Sequence, residues 1–240
     1  ISFFAEGFSH LVDSLVAVKE VVFDKKEVSL GQLIEAMNLD FQGNEALRLR
    51  MQACPHYGSG DEAAIQMANR LLKEYSDITT SINSETHNME YMAGIGTFGW
   101  YIASGEATGP SADGRRKGEP LASNFSPTNG VMKRGVTGAI NSYTALDLKS
   151  MPSGGPLDIA IPENLVAGEN GLERLIAMIK VFIRQEGLML TITVSDVEQY
   201  RAAQKEPKKY RDLRVRMGGW CAYFVMLSNE QQEHHIKKVS

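Results

Sequence analysis

The sequence predicts an α/β fold, and three observations carry that prediction. Residues 188–196, LMLTITVSD, are apolar and β-branched with no helical period, the pattern of a buried strand. A helical pattern covers 171–185 before it, and another runs from Asp196 to a stop ahead of Pro207, so strand and helix alternate. Two more strand-like stretches, 213–217 and 222–226, flank the pair Gly218 and Gly219. The order strand, helix, strand over 188–217 predicts a βαβ-type unit.

The other elements follow in chain order. The chain opens directly into a helical pattern, with Leu11, Leu15, Val16 and Val18 to Val22 as its apolar face, then turns at 24–27. A second helix starts near Ser29 and a third at Asn44. After the loop PHYGSGDE, residues 61–74 read as an amphipathic helix with Asp61 as N-cap and Ile65, Ala68, Leu71 and Leu72 inward. Residues 104–138 are dense in Gly, Pro, Ser and Asn and read as a long loop system, a functional segment or a wandering surface loop. A helix over 137–148, a second loop KSMPSGGPLD, and a last helix from Ser228 complete the reading, with no internal repeat.

Of the 240 residues, 43% are hydrophobic and 22% charged, which excludes disorder and predicts a folded soluble protein. The net charge of -4 is spread along the chain, which argues against nucleic acid or an anionic membrane as partner. With no 18-residue apolar run and no signal-peptide pattern, a cytoplasmic protein is expected. The chain begins with Ile1 rather than Met and reads as part of something longer. Cys54 and Cys221 lie far apart and outside any zinc spacing, and His10, His56, His87, His234 and His235 read as surface or loop histidines, so no metal is expected.

A glycine pair between strand arms is by itself a hairpin tip or a bulge. Its company changes the reading. RVRMGGWCAYFVML followed by LSNEQQEHH resembles the C-terminal signature of the glycyl radical enzymes, Arg-Val-x-Gly-Tyr/Trp-x-Ala-x-Phe before Leu-Ser and a Gln-bearing helix. The likeness extends over almost the whole chain: the helical stretch from VDSLVAVKE, the segment CPHYGSGDEAA, the loop ADGRRKGEPLASNFSPTNG and RAAQKEPKKYRDLRVRM all have counterparts in order. The resemblance implies the C-terminal half of a ten-stranded α/β barrel. Residues 1–103 would be the helical part of a pyruvate formate-lyase-like barrel domain, incomplete at its N-terminus, and 104–240 a glycine radical domain.

On that pattern Gly219 is the radical residue, supported by Arg216, Met217, Gly218, Trp220 and Cys221. A Cα radical becomes planar and is shared between the flanking amides, and a Cβ would crowd both planarity and access. Met217, Trp220 and Phe224 would shield it. The resemblance further implies a separate activating enzyme that uses S-adenosylmethionine and an iron-sulfur cluster, no cofactor bound in this chain, cleavage by dioxygen at Gly219, and life in an anaerobic organism. It also implies a catalytic cysteine before the first residue of this chain. Cys54 then reads as a core or loop thiol and Cys221 as no thiyl, while Arg115 and Arg116 hold loop geometry.

MGGWC resembles the fumarate-adding members, above all the alkylsuccinate synthases, and Thr193 and the ending KKVS depart from the dehydratase pattern. The expected partners are the activating enzyme, a second copy or small accessory subunits, fumarate and a hydrocarbon. The alternatives are a diol dehydratase or decarboxylase of the same family, or a stand-alone radical domain that repairs a damaged partner.

Overall fold

The computed structural model describes residues 1–85, 89–131, 135–217 and 220–239, so His87, Gly218 and Gly219 lie outside the described residues. The chain opens on a strand, β1 (Ser2–Ala5), not on the expected helix. Gly7 in the left-handed region (φ 74°) then turns it into α1 (Phe8–Val18), which continues as one wide turn over Lys19–Asp24. The helix α2 (Leu30–Asn38) starts where expected, because Ser29 and Gln32 exchange hydrogen bonds in a capping box. After α3 (Glu45–Gln52), Asp61 caps α4 (Glu62–Glu85) by accepting from the Ala63 amide at 2.9 Å. Next, β2 (Met92–Ile95) pairs parallel with β1, Ser2 opposite Met92.

Beyond α5 (Tyr101–Ala107) and the long loop come α6 (Val136–Thr144), β3 (Leu157–Pro162), α7 (Glu163–Val166), α8 (Gly171–Arg184) and β4 (Leu190–Ser195). β3 and β4 pair parallel over six residues, from Leu157 with Leu190 to Pro162 with Ser195. This is the βαβ unit, and it lies one strand earlier than the sequence suggests. The strand after α9 (Val197–Lys205), β5 (Arg214–Met217), does not join β4 but pairs antiparallel with β6 (Trp220–Tyr223). The chain ends in α10 (Asn229–Val239).

The 104–138 loop does not wander over the surface. Leu121, Ala122, Ser123, Asn124, Phe125 and Ser126 are buried, and Phe125 stands at the centre of the main core. Its ring meets Phe8 edge-on at 5.0 Å, Tyr143 edge-on at 5.4 Å and Tyr57 stacked at 5.9 Å, geometries worth about 0.5–1.5 kcal/mol each beyond the area they bury. Asn124 fixes the neighbouring backbone: its Oδ1 accepts from the Thr97 and Phe98 amides, both at 3.0 Å, and its Nδ2 donates to Asp158 at 2.6 Å. A second cluster lies between α1, α2 and α3 and contains Cys54, a buried thiol that burial pushes above its usual pKa. A third cluster, of Tyr101, Tyr200, Val215, Met217, Phe224 and Ile236, lies beneath β5 and β6.

Candidate functional site

The arms β5 and β6 hold Met217 opposite Trp220 in register, with two residues of sequence between them. Alternation decides which side chains are held: Val215 and Met217 point into the third cluster and are buried, whereas Arg214 is exposed and Arg216 half-buried. Arg216 Nη1 donates to Cys221 Sγ at 3.3 Å across the pair, so the Arg and the Cys of the loop are one contact. Beyond β6, Phe224 is fully buried and stacks on Tyr200 at 4.5 Å. Of the three residues expected to shield the tip, Met217 and Phe224 are buried and Trp220 is 51% exposed.

The histidines depart from the sequence expectation. His234 and His235 are buried, because α10 packs on the third cluster. His235 Nε2 lies 3.0 Å from Met217 Sδ, and Tyr101 OH lies 3.8 Å from the same sulfur. Burial, with the Lys238 charge added, pushes His235 down to about 3, so its ring is neutral. His234 lies over the Tyr101 ring at 4.4 Å; burial holds it well below the usual histidine range, and neither ring nitrogen has a hydrogen-bond partner. His10 and His56 are not free surface groups either: His10 pairs with Asp113 at 2.5 Å and His56 with Asp13 at 2.8 Å. Spacing did hold one signal for this cluster, since Gln232, His235 and Lys238 recur every three residues on α10.

The Asp113-Gly114-Arg115 turn holds the long loop in place. Arg115 donates to the Arg116 and Glu119 carbonyls at 3.1 and 2.7 Å and to Gly109, and Arg116 reaches the Asp40 carbonyl at 2.6 Å and Glu45 at 2.7 Å. Both arginines therefore do the geometric work expected of them. A cavity of about 660 Å³ opens beside them, lined by His10, His56, Arg115, Glu233 and His234. It lies across α10 from the hairpin cluster, which Gln232, His235 and Ile236 face. Among the described residues no group of three His, Cys, Asp or Glu side chains could hold a metal ion, and no helix is long and apolar enough to cross a membrane.

Parallel strand pairs joined by helical crossovers, with a hairpin seated on its own buried cluster, fit the C-terminal half of an α/β barrel. Residues 2–105 match the family described as pyruvate formate lyase-like, and residues 121–225 match that described as glycine radical. The chain belongs to the glycyl radical enzymes and corresponds to their C-terminal part. It is 32% identical to isethionate sulfite-lyase of Desulfovibrio desulfuricans, over 97% of this chain and 28% of that protein. It is 29% identical to (2S)-3-sulfopropanediol dehydratase of Klebsiella oxytoca, over 98% of this chain and 29% of that one. The B12-independent glycerol dehydratase of Clostridium butyricum superposes with a TM-score of 0.93 at 30% identity, over 99% of this chain and 30% of its own. The chain thus spans under a third of the length of these relatives.

Proposed function

We propose that this chain supplies the radical-bearing loop of an enzyme that eliminates a leaving group from a small substrate, with Gly219 storing the unpaired electron. The observation that carries the reading is the hairpin: its two arms are held in register, Met217 and Phe224 anchor it in a buried cluster, and the segment lies within the glycine radical match. Met217, Gly218, Trp220 and the Arg216–Cys221 contact support the loop. An activating enzyme that uses S-adenosylmethionine and an iron-sulfur cluster removes one hydrogen atom from the Gly219 Cα. The electron left there is shared with the two flanking amides, and the absence of a Cβ leaves the planarity this needs unhindered.

Turnover then runs through a cysteine in another part of the whole protein. The glycyl radical takes a hydrogen atom from that thiol, the thiyl takes one from a substrate carbon, the substrate radical expels its leaving group, and the product radical recovers a hydrogen atom from the thiol. Dehydratases and a sulfite-lyase as relatives support elimination. The loop sequence Met217 to Cys221 favours fumarate addition as a second reading, in which the substrate radical adds to fumarate before it recovers hydrogen. Both readings use the same residues of this chain, and the domain division at residue 104 serves either.

The test is electron paramagnetic resonance on the full-length protein, activated anaerobically, beside Gly219→Ala. A doublet from the remaining α-hydrogen, lost in the variant, is expected; a signal that survives the substitution sinks the assignment. Offering the activated protein a vicinal diol, a hydroxysulfonate, or fumarate with an alkane then separates the readings by product.

A further inference from the structure

Helix α10 presents a row of hydrogen-bond donors to the hairpin and the loop beside it. Gln232 Nε2 donates to the carbonyls of Phe224 and Leu227, both at 3.1 Å, and so fixes the exit from β6. One turn on, His235 Nε2 meets Met217 Sδ at 3.0 Å, and after another, Lys238 Nζ donates to Ser123 Oγ at 2.6 Å. The central contact has one chemical reading: a thioether sulfur only accepts, so Nε2 must carry the ring proton. Met217 is the described residue next before 218–219, and methionine is otherwise the most adaptable of apolar side chains, with three rotatable bonds.

We infer that His235 is a positioning residue for the radical loop: its Nε2–H, opposed by the Tyr101 hydroxyl, pins the Met217 thioether and so sets where the backbone enters residues 218–219. The inference rests on Gly219 as the radical residue. The neutral ring that the contact requires is the one burial enforces. A donor is needed because packing alone leaves methionine several rotamers, and a hydrogen-atom relay tolerates only about 0.5 Å of misplacement. No atom of His235 reacts; it acts through Met217.

The test uses the full-length protein with four variants: His235→Leu, Met217→Leu, the double variant, and His235→Gln, which keeps a donor at nearly the same place. Two signals are read, amide hydrogen exchange over 213–224 before activation, and the yield and half-life of the radical after it. Each single leucine variant is expected to speed exchange in the hairpin about two- to tenfold, the equivalent of one lost hydrogen bond, with exchange in α1 to α4 unchanged. Radical half-life falls in step, the double variant is no worse than the worse single one, and His235→Gln stays near wild type. Unchanged hairpin exchange, additive losses, or a glutamine variant as poor as the leucine one overturns the inference. If wild type shows no doublet, the Gly219 assignment falls by itself, and exchange still decides whether His235 positions the hairpin.

Discussion

Among single residues Asp13 is a buried carboxylate that three donors hold. Its Oδ1 accepts from the Tyr57 amide at 2.7 Å, and its Oδ2 accepts from His56 Nδ1 at 2.8 Å and from Thr128 Oγ1 at 2.9 Å. It thereby joins α1, the 53–61 loop and the long loop. Burial pushes Asp13 up. Burial also pushes His56 down, but the Asp13 hydrogen bond and charge, with the Gln52 carbonyl at 2.7 Å, more than offset this and raise it. Asp13 and His56 cannot both hold the one proton. His56 faces an acceptor at each nitrogen while Asp13 faces three donors, so the proton belongs to the imidazole. The sign follows: a histidine raised on folding stabilises fully below its unfolded value of about 6.5 and loses that contribution as pH climbs through its folded value. Denaturant midpoints of the whole protein are therefore expected to fall as pH rises from about 6.5 through the folded value and to level off above it. Asp13→Asn should flatten the trend and cost about 3–5 kcal/mol, the range for breaking one side of a buried pair. A variant with an unchanged pH slope would show that the pair is not the cause.

At the scale of elements, what could be read from sequence depended on local chemistry. α2, α4 and α9 announce themselves through Ser29, Asp61 and Asp196, side chains that cap by accepting backbone amides. β3 does not, because a strand covered on both faces shows no alternation, and LDIAIP follows Pro156 and ends on Pro162, where a loop reads as well. β1 and β2 are four residues each, too short to show any period. The hairpin arms could be read because two glycines interrupt them; the burial of His235 could not, because it arises only when α10 packs on Met217 and Phe224. The long loop hid its role for the same reason: its polar residues are satisfied by partners far along the chain, such as Thr97 and Asp158 for Asn124. Its fit is tight enough to test. Gly58 sits at φ 89°, and a Cβ there would stand 2.1 Å from Pro127 Cγ. Gly58→Ala should cost about 1–3 kcal/mol in backbone strain, with overpacking adding about as much again. Gly31→Ala, in the first turn of α2 with only Ser29 Oγ near at 3.9 Å, should instead be neutral or stabilise by about 0.5–1 kcal/mol. Thermal midpoints that rank these two variants the other way would mean that the loop is not docked as described.

At the scale of the whole molecule, the hairpin is partly guarded and partly open to solvent in this chain. Met217 and Phe224 close it from beneath, while Trp220, Tyr223 and Met226 stand exposed, Met226 at 80%. An organic radical is quenched by whatever small molecule reaches it, so this exposure matters for dioxygen. A peroxyl radical formed at the Gly219 Cα breaks the backbone at that residue, which turns the proposed radical site into a permanent and readable mark. Activated full-length protein exposed to air should therefore split into two pieces whose junction, located by intact-mass spectrometry, falls at Gly219, and Gly219→Ala should stay whole after the same treatment. Trp220→Ala gives the second arm, because it removes a large exposed side chain next to the cut. If that indole limits access in the assembled protein, cleavage quickens in the variant while unactivated protein of either kind remains intact. Equal rates would assign the shielding to other parts of the protein, and a cut elsewhere, or one that Gly219→Ala does not abolish, would remove Gly219 from the chemistry.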